Sequence, residues 1–289
     1  MMNNKDIENI KISAFSLDKT SFYSNVDDFV SKEIVNKKEM LTKIISFLDI
    51  TTLNDTDHKK AIENIIPNLT CRVGEEQVNV AGVCIYSNLL PTLNRCLLPK
   101  EVKKVVVSGG FPTGQLSLEA KLQDINFALN NKVDEIDIPI NRGLFFENEK
   151  ELINELQIIS NYIKTNSKKV KLKVILETSE LEKYENIYKA SMFAIENGAD
   201  FIKTSTGKVS RGADIYSSVI MLIAIRDYFN KTGKTIGFKA AGGIRTWQEA
   251  IKYYILAEKI MGKDFLNKET FRIGCSNLRD NILKEINDK

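Results

Sequence analysis

Two lysines stand at positions where the sequence predicts the ends of buried strands. Lys203 lies in ADFIKTSTGK (199–208) and Lys239 lies in GFKAAGGIRT (237–246). An apolar segment that stops at Gly and Ser or Thr is typical of a strand that enters a loop. Because lysine is seldom fully buried without a partner, an ammonium group at each of these strand ends indicates a site that does chemistry.

The chemistry that two neighbouring lysines favour is imine formation. If Lys203 and Lys239 lie on adjacent parallel strands, about 4.8 Å apart, each ammonium group is expected to lower the pKa of the other. A partly neutral lysine attacks carbonyl carbons and forms a Schiff base. A nearby carboxylate can then move protons, directly or through water. We therefore expect Lys203 to be an imine-forming nucleophile.

Alternation of side chains along a strand sorts the other charged residues by face. In a barrel, one face of each strand meets the helices and is apolar, while the other face points inward and ends in the active site. In VDEIDIPI (133–140) the isoleucines at 136, 138 and 140 form the apolar face, so Asp137 points inward. The same test directs four further residues inward: Asp49, Lys173, Lys203 and Lys239.

Five ionisable groups in an interior are expensive to bury for stability alone, because each unpaired charge costs several kcal/mol. Clustered ionisable groups at strand ends are the commoner mark of a catalytic site. A fully satisfied salt-bridge network is the alternative interpretation.

The elements that must position these residues follow a regular order. Eight strand candidates occupy residues 44–50, 79–87, 102–109, 133–140, 170–178, 200–205, 235–241 and 271–275. Helical patterns lie between most of them. Alternating strands and helices predict a parallel sheet, and eight such units closed on themselves form a (β/α)8 TIM barrel of the α/β class. An open doubly wound sheet is the alternative, but the first strand is not followed by a GxGxxG turn.

The chain divides at about the start of the first strand. We expect residues 1–40 to form an N-terminal helical extension that covers the bottom of the barrel or takes part in a subunit contact. Residues 41–289 are then the catalytic barrel domain, since α/β barrels of about 250 residues form a single domain.

Composition narrows the class of protein further. The 289 residues carry 41 basic and 38 acidic side chains, a net charge of +3 that favours neither a nucleic-acid partner nor a membrane surface. Four cysteines without a CxxC pair indicate reduced thiols, and the single histidine excludes a histidine-rich metal cluster. We expect no metal and no cofactor. Neither a signal peptide nor a membrane span is predicted, so we expect a cytoplasmic location.

Glycine-rich segments follow the last three strand candidates. Loops after strands seven and eight of a barrel often hold a phosphate with backbone N–H groups, and glycine lets the backbone approach an anion closely. The residues expected to form such a phosphate site are Gly207, Lys208, Gly242, Gly243, Gly274 and Ser276.

Together these segments resemble the deoxyribose-phosphate aldolases, a family of class I aldolases. The matching stretches come in the family's order over roughly residues 44 to 285: FLDITTLNDTD, VAGVCIYS, DEIDIPIN, KVILET, GADFIKTSTGK, GFKAAGGIRT and RIGCSNL. The resemblance implies reversible cleavage of 2-deoxy-D-ribose 5-phosphate into acetaldehyde and D-glyceraldehyde 3-phosphate, with a phosphosugar as the partner. It leaves the oligomeric state open, with a homodimer as one option.

The resemblance also assigns residue roles. It makes Lys203 the Schiff-base lysine, Lys239 the lysine that tunes it and Asp137 the proton relay, and it places Asp49 and Lys173 among the polar residues at the substrate. It assigns the six loop residues to the substrate phosphate. Two departures from the family pattern are Asn277, where many relatives have serine, and a final segment, NILKEINDK, without the tyrosine that some relatives use in proton transfer.

Two other functions remain open at this point. An isomerase or epimerase on the same barrel would need a lone carboxylate base and no lysine pair. A non-catalytic phosphate-binding protein would keep the glycine loops but would not need an inward Lys203.

Overall fold

The computed structural model describes residues 19–181 and 183–288. The strands of this part of the chain are β1 (Leu48–Thr51), β2 (Thr70–Val73), β3 (Glu76–Asn79), β4 (Gly82–Tyr86), β5 (Lys103–Val107), β6 (Glu135–Pro139), β7 (Lys171–Ile175), β8 (Phe201–Lys203), β9 (Gly237–Ala241) and β10 (Phe271–Cys275).

The α-helices of the described residues surround these strands. They are α1 (Lys19–Glu33), α2 (Lys37–Ser46), α3 (Lys59–Ile65), α4 (Leu90–Leu93), α5 (Leu118–Asn130), α6 (Arg142–Glu147), α7 (Glu149–Asn166), α8 (Thr178–Leu181), α9 (Tyr184–Glu196), α10 (Ile215–Thr232), α11 (Trp247–Met261) and α12 (Leu278–Asn287). Within the described chain, no helix is both long enough and apolar enough to cross a membrane.

Eight parallel strands close into a barrel in the order β1, β10, β9, β8, β7, β6, β5, β4, and β4 pairs with β1 again. This confirms the predicted (β/α)8 TIM barrel and excludes the open sheet. The strands β2 and β3 form a separate antiparallel hairpin, which the pattern of the sequence does not predict. Their segments, TCRV and EQVN, are short and mostly polar, so they lack the apolar alternation by which a strand is recognised.

Seven of the eight predicted strands contain the observed strand, and the first prediction is partly wrong. Residues 44–46 belong to α2, and β1 begins only at Leu48. Leu41, Ile44 and Ile45 recur at helical spacing and are all buried, so the apolar run IISFLDI combines a helix end with a strand. The expected division after residue 40 consequently falls inside α2, and residues 1–18 lie outside the described part of the chain.

The N-terminal helices pack on the outer ring of the barrel. The helix α1 packs against α10 and α11, while α2 packs against α11 and α12. Ion pairs join α1 to α11: Lys252 Nζ lies 2.5 Å from Asp27 Oδ1, and Lys259 pairs with Glu33.

Short-range sequence signals fix the helices that follow β8 and β9. The helix α10 begins after Asp214, whose Oδ1 accepts a hydrogen bond from Ser217 N at 2.9 Å, and it ends at Gly233, where φ is +71°. The helix α11 begins with a reciprocal capping box between Thr246 and Glu249. Such caps satisfy the free N–H groups of a helix start, and they define where the loops above β8 and β9 end.

Inward-facing glycines make room for larger side chains inside the barrel. A Cβ atom on Gly237 would lie 2.3 Å from the Phe201 ring, and Phe201 is Gly237's register partner on β8. The ring is fully buried and lies under three cations, with Lys171 Nζ 5.5 Å, Lys173 Nζ 5.7 Å and Arg272 Cζ 5.8 Å from its centroid. The absence of a side chain at Gly237 therefore allows Phe201 to pack among these charges.

A Gly237→Ala substitution is expected to lower the free energy of unfolding by about 1–3 kcal/mol, the usual cost of overpacking a well-filled interior. Urea unfolding followed by circular dichroism measures this difference. The matched control is Gly143→Ala in α6, where the nearest atom to the new Cβ is Asn141 Oδ1 at 3.2 Å. That variant is expected to stay within about 0.5 kcal/mol of the parent. Equal stability of the two variants would contradict tight packing around Phe201.

Candidate active site

A cavity of about 640 Å³ opens at the C-terminal ends of the barrel strands, between the loops that follow β1, β8, β9 and β10. All six residues expected on the phosphate loops line it: Gly207, Lys208, Gly242, Gly243, Gly274 and Ser276. Lys203 lines the same cavity. The sequence-predicted nucleophile and the glycine loops therefore lie around one space.

Lys203 is the last residue of β8 and only 2% of it is exposed. Its Nζ lies 2.8 Å from Asp137 Oδ2, and Lys239 Nζ lies 2.9 Å from the same oxygen. Lys203 and Lys239 are direct register partners on β8 and β9, as the sequence predicts. One carboxylate oxygen therefore accepts from both lysines.

Below Lys203, further ion pairs connect charged side chains in the interior of the barrel. Lys239 Nζ lies 2.6 Å from Asp49 Oδ2, and Lys173 Nζ lies 3.0 Å from Asp137 Oδ1. Arg272 Nη1 lies 2.6 Å from Asp49 Oδ1.

A third carboxylate completes the network. Glu135 Oε1 accepts from Arg272 Nη2 at 2.7 Å, and Glu135 also pairs with Lys173. We call these seven side chains the interior cluster: Asp49, Glu135, Asp137, Lys173, Lys203, Lys239 and Arg272. The cluster contains four bases and three carboxylic acids, and all seven are buried.

The structure brings together all five charged residues that the sequence directs inward, but not all of them reach the cavity. Asp49 and Lys173 are fully buried below it, and among the charged groups of residues 19–181 and 183–288 they form ion pairs only with members of the interior cluster. Lys239 and Asp137 are likewise fully buried. Only Lys203 among the cluster residues lines the cavity.

Sequence reasoning missed Glu135 and Arg272, although the same alternation identifies both. Glu135 lies two residues before Asp137 on β6, and Arg272 lies between the outward Phe271 and Ile273 on β10. The signal that identifies both is the alternation of side chains along the whole strand, and not only near its end.

Two carboxylates of the cluster, Asp137 and Asp49, are held in their ionised form. Burial by itself would raise the pKa of Asp137, but Lys173, Lys203 and Lys239 hold that pKa well below its ordinary value. Burial opposes ionisation of Asp49 in the same way, and Lys239 and Arg272 lower its pKa nonetheless. Both groups therefore remain anionic at neutral pH.

Lys239 remains a cation. Burial would lower its pKa, but Asp137 and Asp49 together raise that pKa above the ordinary value for lysine. The expectation that each lysine lowers the pKa of the other is therefore wrong for Lys239. Two carboxylates contact this side chain, and they outweigh both burial and the neighbouring ammonium group.

The loops around the cavity contain glycines in conformations that other residues rarely adopt. The φ angles are +78° at Gly207, +91° at Gly242 and +82° at Gly243. A Cβ on Gly242 would also approach the Gly212 Cα to 3.0 Å. Lys208 completes this rim, and its Nζ lies 3.0 Å from Asp55 Oδ1 on the loop after β1. The rim thus offers backbone that an anion can approach closely, next to a lysine.

Comparison with known proteins places these features in a family. A sequence model of the DeoC/LacD family aldolases matches residues 43–283. The human deoxyribose-phosphate aldolase is 35% identical over 259 residues, which covers 85% of this chain and 80% of the human protein.

Solved structures share the fold. A crystal structure from Toxoplasma gondii ME49 has a TM-score of 0.74 at 20% identity and covers 86% of this chain and 96% of its own. The deoxyribose phosphate aldolase of Aeropyrum pernix, described as a unique tetrameric structure, has a TM-score of 0.60 at 21% identity and covers 90% of this chain and 95% of its own.

The family model extends from α2 to the last helix and so includes every strand of the barrel and every residue of the interior cluster. The identity to the human protein is spread over most of both chains. The resemblance noted in the sequence motifs is confirmed, and this chain belongs to the DeoC/LacD family of aldolases.

Proposed function

We propose that this chain is a class I aldolase that reversibly cleaves 2-deoxy-D-ribose 5-phosphate into acetaldehyde and D-glyceraldehyde 3-phosphate. The observation that carries the proposal is the position of Lys203, which lines the cavity while its Nζ contacts the carboxylate that Lys239 also contacts. Similarity to the human deoxyribose-phosphate aldolase supports the choice of substrate.

The first step is covalent. The neutral Lys203 amine attacks the C1 aldehyde carbon of the sugar, and loss of water with uptake of one proton from solvent gives a protonated imine. Asp137 contacts Lys203 Nζ at 2.8 Å, so its negative charge stabilises the cationic imine that forms there. Lys239 stays protonated beside it, because Asp137 and Asp49 raise its pKa.

The second step breaks the bond between C2 and C3. The C3 hydroxyl loses its proton to a water that Asp137 orients, the C3–O bond becomes a carbonyl, and the C2–C3 electron pair moves into the iminium. This releases D-glyceraldehyde 3-phosphate and leaves an enamine on Lys203. Protonation of the enamine carbon and hydrolysis by water then give acetaldehyde and free Lys203. Because the pKa of Asp137 is low, this carboxylate stays anionic beside the water and does not retain the proton.

The remaining predicted residues have binding and positioning parts in this proposal. Gly207, Lys208, Gly242, Gly243, Gly274 and Ser276 bind the 5-phosphate at the rim of the cavity. Asp49 and Lys173 orient Lys239 and Asp137 through the ion pairs of the interior cluster. A cytoplasmic location and a homodimer remain predictions.

Borohydride trapping tests the proposal directly. The protein is incubated with limiting acetaldehyde, reduced with sodium borohydride and analysed by peptide mass spectrometry. An ethyl group is expected on Lys203 in greater yield than on any exposed lysine. Lys203 is only 2% exposed, so preferential labelling there requires a site in which this buried amine forms an imine.

Two further measurements complete the trapping experiment. The adduct is expected to be absent from the peptide of a Lys203→Leu variant, and 2-deoxyribose 5-phosphate is expected to give the same adduct on the parent protein after cleavage. Labelling of surface lysines alone, in a folded protein, would overturn the Schiff-base mechanism and with it the proposed function.

A further inference from the structure

Glu177 has an unusual backbone conformation next to the active site. It lies two residues after the end of β7 with φ at +56°, and its side chain is fully buried. A residue with a side chain persists in the left-handed region only where its surroundings hold it there. The neighbouring N–H groups provide that hold: Leu176 N donates to Lys203 O at 2.9 Å, and Thr178 N donates to Thr204 O at 3.0 Å.

The Glu177 carboxylate is directed at a single residue of the loop after β8. It accepts from Thr206 N at 3.3 and 3.2 Å and from the Thr206 hydroxyl. The Thr206 oxygen in turn accepts from Lys208 N at 3.1 Å. A chain of hydrogen bonds therefore runs from Glu177 through Thr206 to the backbone of Lys208, and it encloses Gly207.

The rest of this loop is fixed at two other points. Arg211 Nη2 donates to Ser179 O at 3.0 Å, which ties the loop a second time to the segment after β7. Ala213 N donates to Gly242 O at 2.9 Å, and a Cβ on Gly212 would lie 2.1 Å from that oxygen. Gly207 and Lys208 lie between Thr206 and Arg211 and line the cavity, so Glu177 fixes the beginning of the segment that lines it.

We propose that Glu177 is a positioning residue for the substrate phosphate, which holds Thr206 and thereby sets Gly207 and Lys208 in the conformation that binds a phosphate monoester. This inference rests on the proposed function for the identity of the ligand. Glu177 itself does not line the cavity. Burial raises the pKa of Glu177, so the carboxylate is kept at this place against an electrostatic cost, and the donors of Thr206 offset part of that cost.

The kinetic test compares two sugars that differ only in the phosphate. In a Glu177→Ala variant, the KM for 2-deoxyribose 5-phosphate is expected to rise about tenfold, the factor that corresponds to losing one good hydrogen bond to a charged group. The kcat is expected to change by less than about threefold, because the lost interaction acts on binding and not on the reacting atoms. The kcat/KM for unphosphorylated 2-deoxyribose is expected to stay the same.

Two variants separate positioning from a general structural effect. Glu177→Gln keeps one acceptor oxygen and is expected to restore most of the parental KM. Asp200→Asn weakens a comparable bond at the other end of the same strand pair, where Asp200 Oδ2 accepts from Leu172 N at 2.9 Å. Asp200→Asn is expected to lower the free energy of unfolding and to leave the ratio of kcat/KM for 2-deoxyribose 5-phosphate to kcat/KM for 2-deoxyribose unchanged. An equal loss with both sugars in Glu177→Ala would overturn the inference.

Calorimetric titration with inorganic phosphate distinguishes this inference from the proposed function. The parent is expected to bind phosphate, and Glu177→Ala is expected to bind it about tenfold more weakly. If the parent cleaves neither sugar but this weakening is observed, the aldolase proposal fails and the role of Glu177 stands. If the parent does not bind phosphate, or if both proteins bind it equally, the inference about Glu177 is wrong.

Discussion

A Lys203→Leu variant is expected to lose activity by about 10⁵-fold, on the order of the loss that follows removal of a catalytic nucleophile, with no loss of folding stability. Without the Nζ no imine forms, and no other side chain of the interior cluster lines the cavity to replace it. Steady-state cleavage of 2-deoxyribose 5-phosphate, coupled to detection of glyceraldehyde 3-phosphate, measures the first effect, and urea unfolding measures the second.

The stability expectation follows from the hydrogen bonds of the cluster. When Lys203 is removed, Asp137 Oδ2 keeps Lys239 at 2.9 Å and Asp137 Oδ1 keeps Lys173 at 3.0 Å. No carboxylate oxygen of the cluster loses its last partner, and three bases remain for three acids. A leucine of similar volume also replaces a buried ammonium group, which is costly to desolvate. The residue is thus retained for chemistry and not for stability.

The matched control is Lys121→Leu, which removes a buried lysine outside the barrel interior. Lys121 lies on α5, is fully buried and has Glu155 Oε1 of α7 at 2.7 Å. Its loss leaves a largely buried carboxylate without its cation, so the free energy of unfolding is expected to fall by about 3 kcal/mol, while kcat stays at the parental value. If Lys203→Leu retained measurable imine-dependent activity, or if both variants behaved alike, the assignment of Lys203 would be wrong.

The sequence alone was sufficient for the barrel and for the faces of its strands. The apolar alternation of β6 put Asp137 on the inner face, and the same rule applied to β7, β8 and β9 collected the three lysines that the structure brings to one carboxylate. This works because strand geometry has a period of two and a closed barrel has only one interior. The face of a strand on which a side chain lies depends only on its neighbours in the sequence, so it can be predicted from a few residues.

Other features depend on contacts between distant segments and could not be predicted in this way. Whether Lys239 is neutral or charged depends on Asp49 and Asp137, which lie 190 and 102 residues away in the sequence. The depth of Asp49 below the cavity depends on the register of β1 against β4 and β10. The left-handed conformation of Glu177 has no sequence signal, since non-glycine residues seldom occupy that region.

Removal of Arg272, unlike removal of Lys203, is expected to destabilise the protein. An Arg272→Met variant is expected to lose about 3–5 kcal/mol of unfolding free energy, as is usual when one partner of a buried ion pair is removed. Asp49 Oδ1 and Glu135 Oε1 each accept from Arg272, at 2.6 and 2.7 Å, and neither oxygen accepts a hydrogen bond from another side chain of the described residues. Urea unfolding measures the loss, which is large even though methionine fills much of the volume of the arginine side chain.

A double variant separates lost pairing from lost packing. In Arg272→Met combined with Glu135→Leu, one of the two carboxylates that lose a hydrogen bond from Arg272 is gone, and Lys173 keeps Asp137 Oδ1 at 3.0 Å. Because buried ion pairs are often no better than apolar packing, the double variant is expected to regain a large part of the stability that the single variant lost. The contrary outcome is a free energy of unfolding that falls further in the double variant, by the full cost of a second core substitution. The two residues would then act independently, and Glu135 would not depend on Arg272 as its partner. If regained stability came with parental kcat, Arg272 and Glu135 would contribute to the stability of the barrel, while Lys203, Asp137 and Lys239 would determine the chemistry.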